Sequence, residues 1–324
     1  MPLTLFGDPA PPPLIEGPVA LMRLIEIDEI SELEDTMRRM RLGQGDFIAE
    51  TKFNGWLTQV AGGRIYSRRG EDLTGKFPEI SDMMSRYTSE HLLGELVYWK
   101  EDGLMELPTV TSIAMTKSDR EAVAKLRALP GFFSLVLFDV IAAQGYDLSK
   151  RSTAERIDIL RNTVDTGGPI LISQPSVFED WKKVYDAGVA LGGDGVVLKN
   201  LHAPYVWRQL GEPEPRPVGF WYKLKPVYTD DFVVFGSLRG PKGKLLARIG
   251  QYHRGQLVEV GQINNFAKDV EAEILERLSR GAFVMEVEYQ GRFSDPPGAL
   301  QHGRFYAFRD DKPMESVILP ERYA

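Results

Sequence analysis

After Trp221-Tyr222-Lys223-Leu224-Lys225 the sequence changes character, and that change constrains the fold more than any overall composition. Before it, strand-like runs at 47–51, 56–60, 64–67, 92–99 and 132–140 alternate with helix-like periodicity at 28–40, 118–129, 153–164 and 177–191. Gly62-Gly63 marks a hairpin between the second and third of those runs, and Ser152 with Glu155 reads as a capping box. Beyond a joint at 227–231 come short strand-like runs at 232–238, 245–252, 256–263, 283–289 and 305–309, interrupted by one helix-like stretch at 269–280. The shift in character and the joint together lead us to expect two domains, 1–228 and 229–324. The class is α+β, and the second domain suits a small β-barrel of the OB type.

Composition excludes more than it identifies. The 324 residues carry no cysteine, so no disulfide framework and no thiolate zinc site is possible. The histidines, His91, His202, His253 and His302, are scattered. Residues 1–20 read as an extended arm, because Pro9, Pro11, Pro12, Pro13 and Pro18 restrict the backbone and remove donors. That start lacks the basic opening and apolar run of a signal peptide, and no run is long enough to span a membrane. The expectation is a soluble, cytoplasmic monomer without a membrane partner. A formal charge of −7 argues against passive wrapping of nucleic acid, yet it leaves room for a local basic surface. Two candidates are Arg38, Arg39 and Arg41, and Arg239, Lys242, Lys244 and Arg248; a solvated face explains either equally well.

An ordered series of short blocks runs through the chain. It starts at Glu50-Thr51-Lys52-Phe53-Asn54-Gly55 and continues with Ser67-Arg68-Arg69-Gly70-Glu71-Asp72-Leu73-Thr74-Gly75, Gly94-Glu95-Leu96 and Leu137-Phe138-Asp139. Asp194-Gly195-Val196-Val197-Leu198-Lys199, then Trp221 to Lys225, then Arg309-Asp310-Asp311-Lys312 complete it. Lysine is a poor nucleophile at neutral pH, and burial or neighbouring cations favour its neutral amine. Lys223 and Lys225, two apart on a strand, would share a face; if that face meets Lys52, they would activate it and bind an incoming phosphate. Glu50, two residues before Lys52, would face the same side and could accept a hydrogen bond from a bound ligand.

Taken together and in order, the blocks resemble the signature of ATP-dependent DNA ligases, in the covalent nucleotidyltransferase superfamily. The likeness spans roughly 50–312 and is similar to the small bacteriophage enzymes at 221–226 and 297–302. It implies a nucleotidyltransferase (adenylation) domain of antiparallel sheets and helices followed by an OB-fold. It also implies sealing of 5′-phosphate/3′-hydroxyl nicks in duplex DNA, in replication, repair or recombination, with ATP and Mg²⁺. On that resemblance Lys52 is the adenylated nucleophile, Lys223 and Lys225 contact the α-phosphate, and Glu95 and Asp194 supply metal carboxylates. Phe138 stacks on adenine, Arg68 takes the 5′-phosphate of the nick, and Arg309 and Lys312 orient the pyrophosphate. Four positions depart from the pattern. Asn54 replaces an aspartate, Leu57 an arginine, Asp194 a glutamate, and Ala307 a frequent arginine. RNA ligases and mRNA-capping guanylyltransferases share the lysine and the two-lysine strand, although a capping enzyme has no need of the Arg68 block. Asn54 and Leu57 also leave open a catalytically inactive nucleic-acid-binding module on the same fold.

Overall fold

The structure, a computed structural model, describes residues 15, 17–292 and 298–321, without the side chain of Lys242. Pro9, Pro11, Pro12 and Pro13 of the expected arm, and Pro297, lie outside the described residues. Two compact units divide the chain, Met1–Lys225 and Pro226–Ala324.

The first unit begins with β1 (Ile25–Ile27), α1 (Ile30–Met40), β2 (Phe47–Thr51), β3 (Trp56–Ala61), β4 (Arg64–Ser67), α2 (Pro78–Met84) and β5 (His91–Trp99). Next come α3 (Leu107–Ala114), α4 (Asp119–Arg127), β6 (Phe132–Ala143), β7 (Tyr146–Asp147) and α5 (Thr153–Thr163). It ends with β8 (Ile170–Ile172), β9 (Ser176–Val177), α6 (Trp181–Ala190), β10 (Val196–Asn200) and β11 (Trp221–Leu224). One sheet runs β1-β11-β10-β2-β9 and the other β4-β3-β5-β6-β7, with β8 added beside β6. Pairing is antiparallel except where β1 meets β11 and β8 meets β6.

Local chemistry accounts for most element ends. Ser152 accepts the Glu155 amide while Glu155 reaches back, closing the capping box of α5. Pro78 opens α2 at a position whose N–H has no intrahelical partner in any case. The stretch 177–191, expected to be wholly helical, is helical only from Trp181, because Val177 pairs with Ile48 in the sheet and Phe178–Asp180 forms a 3₁₀ turn. Each sheet buries its outer face under helices: Leu33, Met37, Phe47 and Leu198 form one core. Val60, Leu92, Leu135 and Leu160 belong to the other. A third apolar cluster, including Leu21, Leu93, Ile141 and Trp221, joins strands of both sheets. Residues 19–22 are therefore core rather than a loose arm, and Gln59 holds them by accepting from Val19 N (3.0 Å) and donating to Val19 O (2.9 Å).

The second unit contains β12 (Tyr228–Arg239), β13 (Leu245–His253), β14 (Gln256–Ile263), α7 (Lys268–Arg280), β15 (Phe283–Tyr289), β16 (Gly291–Arg292), β17 (Leu300–Gln301) and β18 (Arg304–Phe308). Its sheet runs β14-β13-β12-β15-β18, all antiparallel. Register shifts at Val234/Gly236, Ile249/Gly250 and Glu286/Val287 put irregularities in three of the four pairings, a device that bends and twists a sheet. Phe232, Ile249, Ile274 and Met285 fill its separate core.

Candidate active site

In the first unit a cleft of about 1150 Å³ lies between the two sheets. One wall is the β1-β11-β10-β2 face. Glu26, Lys223, Val197 and Glu50 stand opposite one another across four strands, so their side chains share that face. Lys199 and Trp221, two residues along, join it. The other wall brings Leu57 and Glu95, paired across β3 and β5, together with Phe138 from β6.

Lys52 leaves β2 at the cleft. Its N–H donates to Gly195 O (2.9 Å) and its carbonyl accepts from Asp194 N (2.7 Å), so the backbone itself fixes Lys52 beside Asp194. Two glycines make this approach possible. A Cβ on Gly195, at φ +102°, would lie 2.0 Å from Leu224 O, and one on Gly55 would lie 2.2 Å from Leu96 O. Lys52 Nζ donates to Asp194 Oδ2 at 2.5 Å, and Lys225 Nζ lies 3.4 Å from the same oxygen. Lys223 instead pairs with Glu26 at 2.6 Å. Asp194 is thus the shared anion of Lys52 and Lys225, an arrangement the sequence did not announce. Burial pushes the Lys225 amine below its ordinary value; Asp194 opposes this, while the charges of Lys52 and Lys223 add to it.

Burial pushes the Glu95 carboxyl up to about 7, with Asp194 adding to the shift and Lys52, the Gly55 amide and Arg68 opposing it. A carboxylate so placed is short of positive charge. Among the described residues no three acidic or histidine side chains cluster as a metal cage. One or two carboxylates are what a hard divalent cation that keeps its waters needs; Glu95 offers one at the cleft, whereas Asp194 is held by Lys52 and Lys225.

Phe138 reaches the cleft through a bulge. Leu93 faces Asp139 and Gly94 faces Leu137, which leaves Phe138 as the extra residue in β6. Asp139 then points into the core, where Arg156 Nε and Nη2 donate to it at 2.9 and 3.0 Å with both side chains fully buried. Glu50 is buried too; it accepts from Ser173 Oγ (2.8 Å) and Lys199 Nζ (2.9 Å). The Lys199 ammonium also sits 4.2 Å from the Trp221 ring centroid and 5.0 Å from that of Phe138. Lys199 and Ser173 were not singled out from the sequence.

Arg68, Arg69, Arg23 and Arg216 add positive charge to the cleft lining of a chain whose net charge is −7. Arg68 grips Glu214 with a two-pronged fork, Nε to Oε1 at 2.5 Å and Nη2 to Oε2 at 2.6 Å. Asn54 does not line the cleft; its Nδ2 donates to Gly192 O at 3.1 Å. Leu57 does line it, packed in the same apolar cluster as Phe138. In the second unit, Arg309 Nη1 donates to Asp231 Oδ1 at 3.0 Å and Lys312 pairs with the same carboxylate, while Asp311 binds the remaining edge of the guanidinium at 2.9 and 2.8 Å. Ala307 lies opposite Glu286 in the sheet. In the two basic segments Arg38 pairs with Asp35, Arg239 with Glu271 and Arg248 with Glu259, while Arg39 donates to Thr36 and Lys244 to Asn265.

A lysine-bearing cleft between two sheets of a mixed α+β unit is the architecture of a nucleotidyltransferase domain of ATP-dependent ligases. The chain belongs to the ATP dependent DNA ligase domain family, whose model matches residues 27–225. A DNA ligase of Methanothrix thermoacetophila is 29% identical over 342 residues, covering 94% of this chain and 58% of that protein. One from Archaeoglobus fulgidus is 27% identical, covering 95% and 58% respectively. The chain therefore spans somewhat over half the length of these relatives. Among solved structures, a Lig E DNA ligase matches with a TM-score of 0.61 over 91% of this chain and all of that one, at 13% identity, a likeness of fold. No helix among the described residues is long and apolar enough to cross a membrane.

Proposed function

We propose that this protein is an ATP-dependent DNA ligase that seals 5′-phosphate/3′-hydroxyl nicks in duplex DNA. The observation that carries the reading is the meeting of Lys52 and Lys225 at Asp194, with Lys52 and Lys223 lining a cleft whose facing wall offers Glu95 and Phe138. Lys52 Nζ attacks the α-phosphorus of ATP, the bond to the bridging oxygen breaks, and pyrophosphate leaves as the amine loses a proton. Lys223 and Lys225 take up the charge that grows on the α-phosphate. A phosphate oxygen at the 5′ end of the nick, held by Arg68, then attacks the same phosphorus and displaces Lys52. The 3′-hydroxyl finally attacks the 5′-phosphorus, and AMP departs. Glu95 and Asp194 would hold Mg²⁺, which supplies neutralisation of phosphate charge when bound.

Phe138 and Trp221 supply apolar surface for the base, and Glu50, kept in place by Lys199 and Ser173, is the acceptor for the adenine amino group. Residues 1–225 would form the adenylation domain. Residues 226–324 would form an OB-fold, a reading supported by the β14-β13-β12-β15-β18 order, the bulges and the helix α7 between β14 and β15. Arg309 and Lys312 would orient the pyrophosphate.

The test is a covalent adduct. Incubated with ATP and Mg²⁺, the protein should gain one AMP on Lys52 by mass spectrometry, and Lys52→Ala should gain none. GTP in place of ATP should leave the protein unmodified. An adduct on another lysine that survives in Lys52→Ala would overturn the assignment; preference for GTP would indicate a capping enzyme.

A further inference from the structure

Glu214 is held by two arginines that belong to distant parts of the chain. Arg68 donates to it through the two-pronged fork at 2.5 and 2.6 Å, and Arg23 Nε donates to the same Oε2 that Arg68 Nη2 holds. Glu214 lies in the segment between β10 and β11, whose run Gly211-Glu212-Pro213-Glu214-Pro215-Arg216-Pro217 offers few backbone donors. Besides the Glu214 side chain, the bonds on that run are Glu212 N to Gln209 O at 3.0 Å, Arg23 N to Pro215 O at 2.7 Å and Arg208 Nη1 to Pro213 O at 3.4 Å, among the described residues. Arg23 and Arg68 both line the cleft.

The charges do not balance. Two guanidinium groups converge on one carboxylate, so a cation is left over that a phosphomonoester dianion would satisfy. Burial pushes the Glu214 carboxyl up, but the two guanidinium groups outweigh it and hold the group below the usual carboxylate range. The carboxylate has the planar, two-oxygen edge that a guanidinium fork also recognises in phosphate.

We propose that Arg23 and Arg68 together form the receptor for the terminal 5′-phosphate of a nick, and that Glu214 occupies this receptor as an internal surrogate until the DNA displaces it. This rests on the reading of Arg68 given above and adds two residues to it. Arg23 is a second phosphate ligand. Glu214 is a competitor that a 5′-hydroxyl end, which lacks the phosphate oxygens and both charges of the dianion, cannot displace. The surrogate therefore makes the free protein selective for phosphorylated ends.

The measurement is equilibrium binding of the full chain, adenylated with ATP and Mg²⁺ and then moved into EDTA so that AMP is not passed to the DNA, to two nicked duplexes with a 3′-dideoxy terminus that cannot be sealed. One carries a 5′-phosphate and the other a 5′-hydroxyl, and the readout is the ratio of their Kd values. Arg23→Ala should lower the preference for phosphate about tenfold, as loss of a charge-assisted hydrogen bond does, with Arg23→Lys intermediate. Glu214→Gln keeps the shape and removes the charge, and should tighten binding of the 5′-phosphate duplex severalfold. Because these variants move in opposite directions, a general folding defect cannot imitate both. An unchanged ratio in Arg23→Ala and Glu214→Gln, with Arg68→Ala collapsing it, would overturn the two-arginine receptor and leave Arg68 acting alone. An unchanged ratio in Arg68→Ala as well would remove the underlying reading. Loss of ATP-dependent adenylation in Arg23→Ala with an intact ratio would assign the pair to the nucleotide and overturn the proposal.

Discussion

Asn54 sits where the resemblance leads one to look for a carboxylate, and its amide nitrogen instead donates to the carbonyl of Gly192. That bond ties the Lys52 turn to the 192–194 segment, and the same segment carries Asp194, the partner of Lys52 and Lys225. Asn54→Asp would remove the donor and set a carboxylate oxygen against a carbonyl oxygen. The cost should be about 1 kcal/mol of stability, since the bond is only part-buried. Restoring the residue usual in the family should therefore lower the urea midpoint and slow formation of lysyl-AMP, because Asp194 loses its support. A variant as stable as the parent that seals faster would show that the Gly192 contact is dispensable. The residues that carry chemistry were legible because each stands in a short local block: Lys52 with Gly55, Glu95 with Gly94, Lys223 with Lys225. Their supports were not. Lys199 bonds Glu50 across 149 positions and Arg68 bonds Glu214 across 146, and no local pattern announces a partner so far away.

Elements show the same division. Runs with strong local signals, such as β2, β4 and α5 with its Ser152–Glu155 box, have the bounds or caps that their sequence suggests. The short helices α2 and α3 have no such periodicity, since each is only two turns or so long and carries a proline in its first two positions. The bulge that turns Phe138 into the cleft is also invisible in sequence, because it is a mismatch of register between β5 and β6. One consequence at this scale concerns His91, buried at the start of β5. Its Nε2 lies 3.0 Å from Gln59 Oε1, an oxygen that can only accept, so Nε2 carries the hydrogen; Nδ1 has no partner among the described residues. Burial pulls the His91 imidazole down to about 4 from an ordinary 6.5. Between those values the unfolded chain takes up a proton that the folded chain refuses. Its contribution is thus constant above pH 6.5 and turns against the fold as pH falls toward 4, by about 3 kcal/mol in all. All five tryptophans lie in the first unit, so their fluorescence follows its unfolding in urea. Subtracting the profile of His91→Gln from that of the parent should isolate this slope. A flat difference between pH 4 and 6.5 would mean that His91 is protonated in place.

At the scale of the whole molecule, each unit has a core of its own, and the Arg309–Lys312 block lies in the second. Phe232, Ile249 and Met285 of the second unit pack among themselves, as Leu92, Leu135 and Leu160 do in the first. A chain ending at Lys225 should therefore fold, with tryptophan fluorescence and a cooperative urea transition like those of the full protein. It would retain Lys52, Lys225, Glu95 and Phe138, yet lack Arg309 and Lys312, which Asp231 holds in the second unit. If those cations orient the pyrophosphate, the short chain should form lysyl-AMP about 10²–10³-fold more slowly than the full chain, the usual loss when one preorganised charge contact to a reacting group is removed. Arg309→Ala in the full protein should reproduce most of that deficit. It should do so without altering transfer of AMP from enzyme already adenylated, because pyrophosphate has left by then. A short chain that adenylates at the full rate would confine step one to residues 1–225 and leave Arg309 as a surface partner of Asp231. A slow short chain beside a fully active Arg309→Ala would instead place the missing contribution elsewhere in the second unit, with Lys312 as the next cation to replace.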